Sequence, residues 1–425
     1  MSDVVELCRD LIRIDTSNPG RTERPAAEYV AEKLADVGLE PTVFDCAPGR
    51  TAVVARMEGS DPSRDALLIH GHLDVVPADA ADWQVDPFSG EIKDGCIWGR
   101  GAVDMKDMVA MTLATVRGYR RTGRTPPRDV VLAFFPDEEA GGREGAAVVA
   151  DKHRHLLEGV TEAIGEVGGF SLTVAPDVRL YLIETAQKGM QWMRLTAKGR
   201  AGHGSMLNDD NAVTALAEAI ARLGRTRFPI HLTPTMRVLL AEIADVLEIE
   251  VDLDDPETAL AKLGPIARML GAVVRNTANP TMLEAGYKVN VIPQTATAQV
   301  DGRQLPGFEA EFEAELDEVL GTEIERVVTN GQAPLETTFD GALVEAMSAA
   351  LRAEDPGARP VPYLMSGGTD AKHLVPLGIR CFGFSPLRLP PELDFSAMFH
   401  GVDERVPIDA LDFGVRVLDR FLADS

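Results

Sequence analysis

Apolar residues recur at helical spacing over residues 4–14 and again over 25–37, where Gly38 supplies a stop. Short apolar runs at 41–45, 51–57 and 66–70 read as strands, followed by a helix over about 104–120 and a further strand over 129–135. Strands alternating with helices predict an α/β fold built on a mostly parallel, helix-covered sheet. On such a sheet, ligands collect at the C-terminal strand ends.

The pattern changes after Gln187. Lys188-Gly-Met-Gln-Trp-Met-Arg-Leu-Thr-Ala-Lys alternates as a half-exposed strand does, and opens a second domain. A helix over 212–223, a stretch with mainly helical periodicity over 229–274, strands over 281–288 and 291–301, a helix over 309–320 and a strand over 323–328 complete it. This order predicts a smaller inserted α/β sandwich with one sheet edge or helix face open for pairing. From about residue 340 the first domain resumes, with a helix over 342–352, a strand ending at Met365, a strand over 380–384 and a final helix over 409–422. The expected organisation is 1–187, 188–334 and 335–425.

Composition narrows the function. The length of 425 residues suits two domains. The formal charge of −25 disfavours nucleic acid and anionic membrane surfaces as partners, because both select cationic footprints. No apolar run approaches the roughly 20 residues of a membrane span. Met1-Ser-Asp-Val-Val-Glu lacks the order of a signal peptide, so a cytoplasmic location is expected. Four scattered cysteines without CxxC spacing exclude a zinc ribbon or redox pair, and are expected to be reduced. Gly141 to Gly145 lacks the Gly-Lys-Ser/Thr ending of a P-loop, and no GxGxxG follows a strand, which removes the nucleotide-binding reading. His153 and His155 are expected at the surface.

The candidate chemistry gathers at strand ends. Ala66-Leu-Leu-Ile-His-Gly-His72-Leu-Asp74 leaves an apolar run with His72 and Asp74 two apart, on one face of an extended chain, where Asp74 could orient the imidazole. A solvated strand end is the plainer alternative. Asp104 lies in a glycine-rich turn before a helix, Glu138 and Glu139 follow an apolar strand, Glu166 closes Thr-Glu-Ala-Ile-Gly-Glu, and His400 lies far downstream. Two histidines and several carboxylates without thiolate suit a pair of divalent metals, zinc first, with cobalt or manganese as alternatives.

His72-Leu-Asp-Val-Val-Pro77, Asp82-Trp-x-x-Asp-Pro-Phe-Ser-Gly90, Trp98-Gly-Arg-Gly-Ala-x-Asp104-Met-Lys106 and Asp137-Glu-Glu139 resemble the M20 metallopeptidases, a group of carboxypeptidases, dipeptidases, aminoacylases and deacylases. The resemblance implies that Asp104 bridges two metals, with Glu139 and His400 on one and His72 and Glu166 on the other; three carboxylates then offset most of the charge of two dications. It implies Glu138 as general base, pointing away from Glu139 on an extended segment, with Asp74 supporting His72. It implies that the inserted domain is a lid and homodimerisation surface whose His203 stabilises the oxyanion. Asn290 and Arg303 resemble positions that bind a substrate carboxylate, although Arg303 could equally pair with Asp301. Gly367 and Gly368 would let backbone approach the ligand. Asp107 stands where many relatives have glycine.

The reading is a two-metal hydrolase of amide bonds in a small peptide or an N-acyl amino acid with a free carboxylate. A biosynthetic deacylase of the acetylornithine or succinyl-diaminopimelate type is the alternative within the class, and a non-catalytic binding or scaffold protein the alternative outside it.

Overall fold

A computed structural model describes residues 2–175, 177–263 and 270–425. The chain forms two compact units: Met1–Thr185 with Thr337–Tyr363 and Thr369–Ser425, and Ala186–Glu336 with Leu364–Gly368.

The first unit is built on one large sheet. Thr42–Ala47, Arg50–Met57, Val130–Phe135, Ala66–His72, Val160–Gly165, Arg380–Gly383 and Val178–Gln187 lie side by side in that order. The four central strands, Val130–Phe135 to Arg380–Gly383, are parallel. Antiparallel strands flank them on both sides. Two of these neighbouring strands, Val-Val-Leu-Ala-Phe-Phe and Ala-Leu-Leu-Ile-His-Gly-His, are buried at every position, as strands covered on both faces must be.

The covering helices have the predicted amphipathic spacing. Asp3–Arg13 turns Val4, Val5, Leu7, Leu11 and Ile12 inward, each burial worth about 1.5–3 kcal/mol. It packs on Lys106–Arg121, which is buried along nearly its whole length because Arg24–Ala35 and Ile408–Asp424 also lie against it. Gly38 takes φ +78°, the left-handed conformation expected where a helix stops.

The second unit is a four-stranded antiparallel sheet in the order Thr277–Ala285, Thr295–Gln304, Gly189–Lys198, Ile324–Gln332. Met193, Leu195 and Ala197 meet helices Ala212–Arg225 and Glu309–Leu320, while the intervening Trp192, Arg194 and Lys198 face outward. The single strand expected over 291–301 is broken. Pro293 has no N–H for a ladder, so Val291–Ile292 pairs with Gly202–His203 and a separate strand starts at Thr295. The helical stretch expected over 229–274 contains Pro234–Val246 and Pro256–Lys262, each started by proline and capped by the side chain of Thr233 or Asp255. Its residues 264–269 lie outside the described residues. No helix among the described residues is long and apolar enough to cross a membrane.

Candidate metal centre

Three neighbouring parallel strands deliver the site. Val130–Phe135 leads to Glu138 and Glu139, Ala66–His72 ends on His72, and Val160–Gly165 is followed by Glu166. Their shared direction places all three exits at one edge of the sheet. Asp104 arrives from the turn before helix Lys106–Arg121, and His400 from the segment between Ser396–Met398 and Arg405–Pro407.

These five side chains converge as two groups sharing one carboxylate. His72 Nε2 lies 3.0 Å from Asp104 Oδ1 and 3.3 Å from Glu166 Oε2. His400 Nε2 lies 3.3 Å from Asp104 Oδ2 and 3.0 Å from Glu139 Oε2. Glu138 joins the first group, since ligand atoms of His72, Glu138 and Glu166 all lie within 4.8 Å of one another. The two groups differ in shelter: the His72 side chain is 1% exposed and that of His400 is 56% exposed.

The donor set fits metal cations. His72 Nδ1 lies 2.9 Å from the Asp74 carbonyl, which can only accept, so Nδ1 keeps a proton and Nε2, facing two carboxylates, is the nitrogen that could ligate a cation in place of its own proton. Such an arrangement needs positive charge between its members. Glu139 Oε1 is buried with no hydrogen-bond partner in the chain. Burial, then the Asp104 charge, pushes Glu139 up to about 7, and burial pushes Glu166 up to about 8. Burial would also raise Asp104, but hydrogen bonds from His400 and His72 hold it well below the usual carboxylate range. Burial works against charge on His72, yet Glu166 and Asp104 raise it well above the ordinary imidazole value. Hydrogen bonds to Asp104 and Glu139 push His400 up to about 10. Carboxylates gathered this closely compensate one another poorly, and a bound dication relieves them.

Two expectations are corrected here. The Asp74 carboxylate stands 3.6 Å from His72 Nδ1; the Asp74 backbone carbonyl orients the ring instead. The carboxylate accepts from the backbone N–H groups of Glu138 and Glu139, at 3.1 and 3.2 Å, and from Asn18 Nδ2 at 2.9 Å. Nor are Glu138 and Glu139 extended. Asp137 is left-handed, with φ +71°, and Glu138–Ala140 form a 3₁₀ turn whose exposed N–H groups Asp74 satisfies.

Several participants carry no local sequence signal. Lys372 Nζ lies 3.3 Å from Glu138 Oε1 in a largely buried ion pair. Asp370 is buried beside it with both carboxylate oxygens unpartnered, and burial followed by the Glu138 charge raises it well above the usual range. Both follow the Ser366-Gly-Gly-Thr turn, whose glycines would have been the cue. Asn18 is held in turn by Arg50, which also pairs with buried Glu23. Below the site, His70 is buried, with Nδ1 unpartnered, and held neutral by burial, which lowers it to about 4. A Cβ at Gly165 would stand 2.5 Å from its ring, so only glycine fits there. Asp107 is buried in the helix after Asp104 rather than facing solvent, and burial raises it well above the ordinary carboxylate range.

The remaining predicted residues belong to the second unit. His203 is exposed, with Nδ1 2.8 Å from Ser205 Oγ. The ribbon with Val291–Ile292 sets its loop beside exposed Asn290, whose carbonyl accepts from Gly204 N at 2.9 Å. Arg303 forms the ion pair with Asp301, at 2.8 and 3.1 Å. A Cβ at Gly367 or Gly368 would meet only ordinary contacts, so the chain's own packing requires neither glycine.

A parallel-centred sheet whose strand exits carry paired carboxylate–imidazole groups is an arrangement that could hold metal ions at a hydrolytic site. Residues 68–424 match peptidase family M20/M25/M40, and the chain belongs to this family of amide-cleaving hydrolases. It is 28% identical to the N-fatty-acyl-amino acid synthase/hydrolase PM20D1 of Xenopus tropicalis, over 99% of this chain and 86% of that one. It is 27% identical to aminoacylase-1 of Sus scrofa, over 99% and 94%. The M20 family metallo-carboxypeptidase Sso-CP2 of Sulfolobus solfataricus shares the fold, with a TM-score of 0.75 and 19% identity over 100% of this chain and 99% of that one.

Proposed function

We propose that the protein hydrolyses the amide bond of an N-acyl amino acid or small peptide with a free carboxylate, using two divalent ions, zinc first. The single observation that carries this is the division of ligands about Asp104: Oδ1 with His72 and Glu166, Oδ2 with His400 and Glu139. Asp104 would bridge the two positions. Bound there, the ions would lower the pKa of a shared water and polarise the scissile carbonyl.

The chain's own groups do the rest. Glu138 accepts the proton of the attacking water and returns it to the leaving nitrogen, while Lys372 and the Asp74-held turn keep its carboxylate in place. His203 donates to the developing oxyanion. Asn290 and Arg303 receive the substrate carboxylate, Arg303 with its fork already oriented by Asp301, and Gly367 and Gly368 admit the ligand to the backbone. The second unit serves as lid and homodimer surface; exposed Met282 and Leu283 on the edge strand Thr277–Ala285 support this role.

Two relatives bear the names of an N-fatty-acyl-amino acid hydrolase and an aminoacylase, which favours an N-acyl amino acid over a dipeptide. The test is a panel of N-acyl amino acids and dipeptides with metal-reconstituted protein. Hydrolysis of N-acyl substrates that Glu138→Ala removes is expected. No turnover on any substrate with zinc, cobalt or manganese would sink the proposal.

A further inference from the structure

The turn that carries Asp104 has no secondary structure of its own to hold it. Gly99 and Gly101 have φ +154° and +87°, and the backbone N–H groups that follow point inward without helical partners. One side chain from the far end of the chain takes them up. Glu404, fully buried, accepts from Val103 N at 2.7 Å and Asp104 N at 3.1 Å on Oε1. On Oε2 it accepts from Gly101 N at 3.1 Å and Arg100 Nη1 at 2.7 Å. Its carbonyl accepts from Gly99 N at 2.9 Å. Arg100 completes the link, with Nη2 3.5 Å from the His400 carbonyl. Converging N–H groups of this kind form an anion-binding nest, here filled by the protein's own carboxylate.

We infer that Glu404 is a positioning residue of the metal centre: it locks the Asp104 turn to the segment carrying His400, and so sets Asp104 Oδ2 against His400 Nε2. This rests on the two-metal reading above. In the His72 group, His72 and Glu166 are fixed by sheet strands, and only Asp104 comes from the clamped turn. The His400 group has a half-exposed imidazole on a loop and is joined to Asp104 through Glu404 and Arg100. Opening the clamp therefore weakens the His400 position most, since Asp104 and His400 both shift there, and the His72 position less, since His72 and Glu166 stay in place.

Protein stripped with a chelator would be titrated with cobalt(II), following visible absorption and the cobalt retained after desalting. Wild type is expected to take two equivalents. Glu404→Gln places an NH₂ against half of these donors; it should bind the second equivalent about 10–100-fold more weakly and the first with a clearly smaller loss, with altered absorption. A purely structural lesion, such as Asp355→Asn, should lower the melting temperature yet retain both equivalents. If folded Glu404→Gln binds both equivalents as wild type does, the inference is overturned. Should Glu404→Gln fail to fold, Arg100→Lys carries the test, because it keeps the charge and loses the reach to the His400 carbonyl; unchanged second-site affinity there overturns the inference equally. Wild type that binds no cobalt would instead remove the two-metal reading itself.

Discussion

A single buried acid and a buried cluster of acids lie in the first unit, and they are built on opposite principles. Asp355 accepts from the Arg179 guanidinium, from Tyr181 Oη at 2.8 Å and from Gly357 N at 3.0 Å. Burial alone would raise it, but these donors outweigh burial and leave it below the ordinary carboxylate value. Around Asp104 the acids outnumber their donors, Glu139 and Glu166 are pushed up, and one Glu139 oxygen has no partner. A satisfied buried acid holds a fold together. An under-compensated group of them at strand exits is kept for what it binds.

Four outcomes would break or sharpen this contrast. Glu138→Ala should lower turnover by about 10²–10⁴-fold, in the range for loss of a general base, with only a modest fall in melting temperature because Asp370 remains to offset Lys372. A large fall in stability would show that Glu138 serves the fold. Asp355→Asn should do the reverse, costing about 3 kcal/mol in denaturant unfolding because Arg179 is left unpaired, while turnover per folded molecule holds. That cost should depend on pH. Asp355 is depressed in the folded state, so its contribution is complete above the unfolded value of about 3.9 and is lost as pH falls through the folded value. Melts of wild type and Asp355→Asn should therefore converge in strong acid, and a constant gap would refute the ion-pair account. The smallest effect is expected from Glu166→Gln in metal-free protein above about pH 8, where Glu166 is charged: a gain of about 1 kcal/mol from removing one crowded charge. A loss of stability there would place Glu166 with the structural acids.

Much of this was legible along the chain because the chemistry follows apolar runs. His72, Glu138, Glu139 and Glu166 each stand just beyond a buried strand, and strand exits are where a parallel sheet exposes polar groups. The supporting residues were not legible in the same way. Glu404 meets the Asp104 turn across 300 residues, and Lys372 meets Glu138 across 234. Side chains so distant leave no periodicity or spacing to read. Local geometry also escaped where a single residue reset it: the left-handed Asp137 turned an expected extended segment into a 3₁₀ turn, and Pro293 split an expected strand.

The glycine at 165 beneath the histidine at 70 has a practical consequence for anyone wishing to retarget the enzyme. With an imidazole ring filling the space a methyl group would need, position 165 offers no room for a larger side chain. Libraries aimed at altered specificity should therefore leave position 165 untouched and diversify the surrounding loops, where added bulk can be absorbed by solvent.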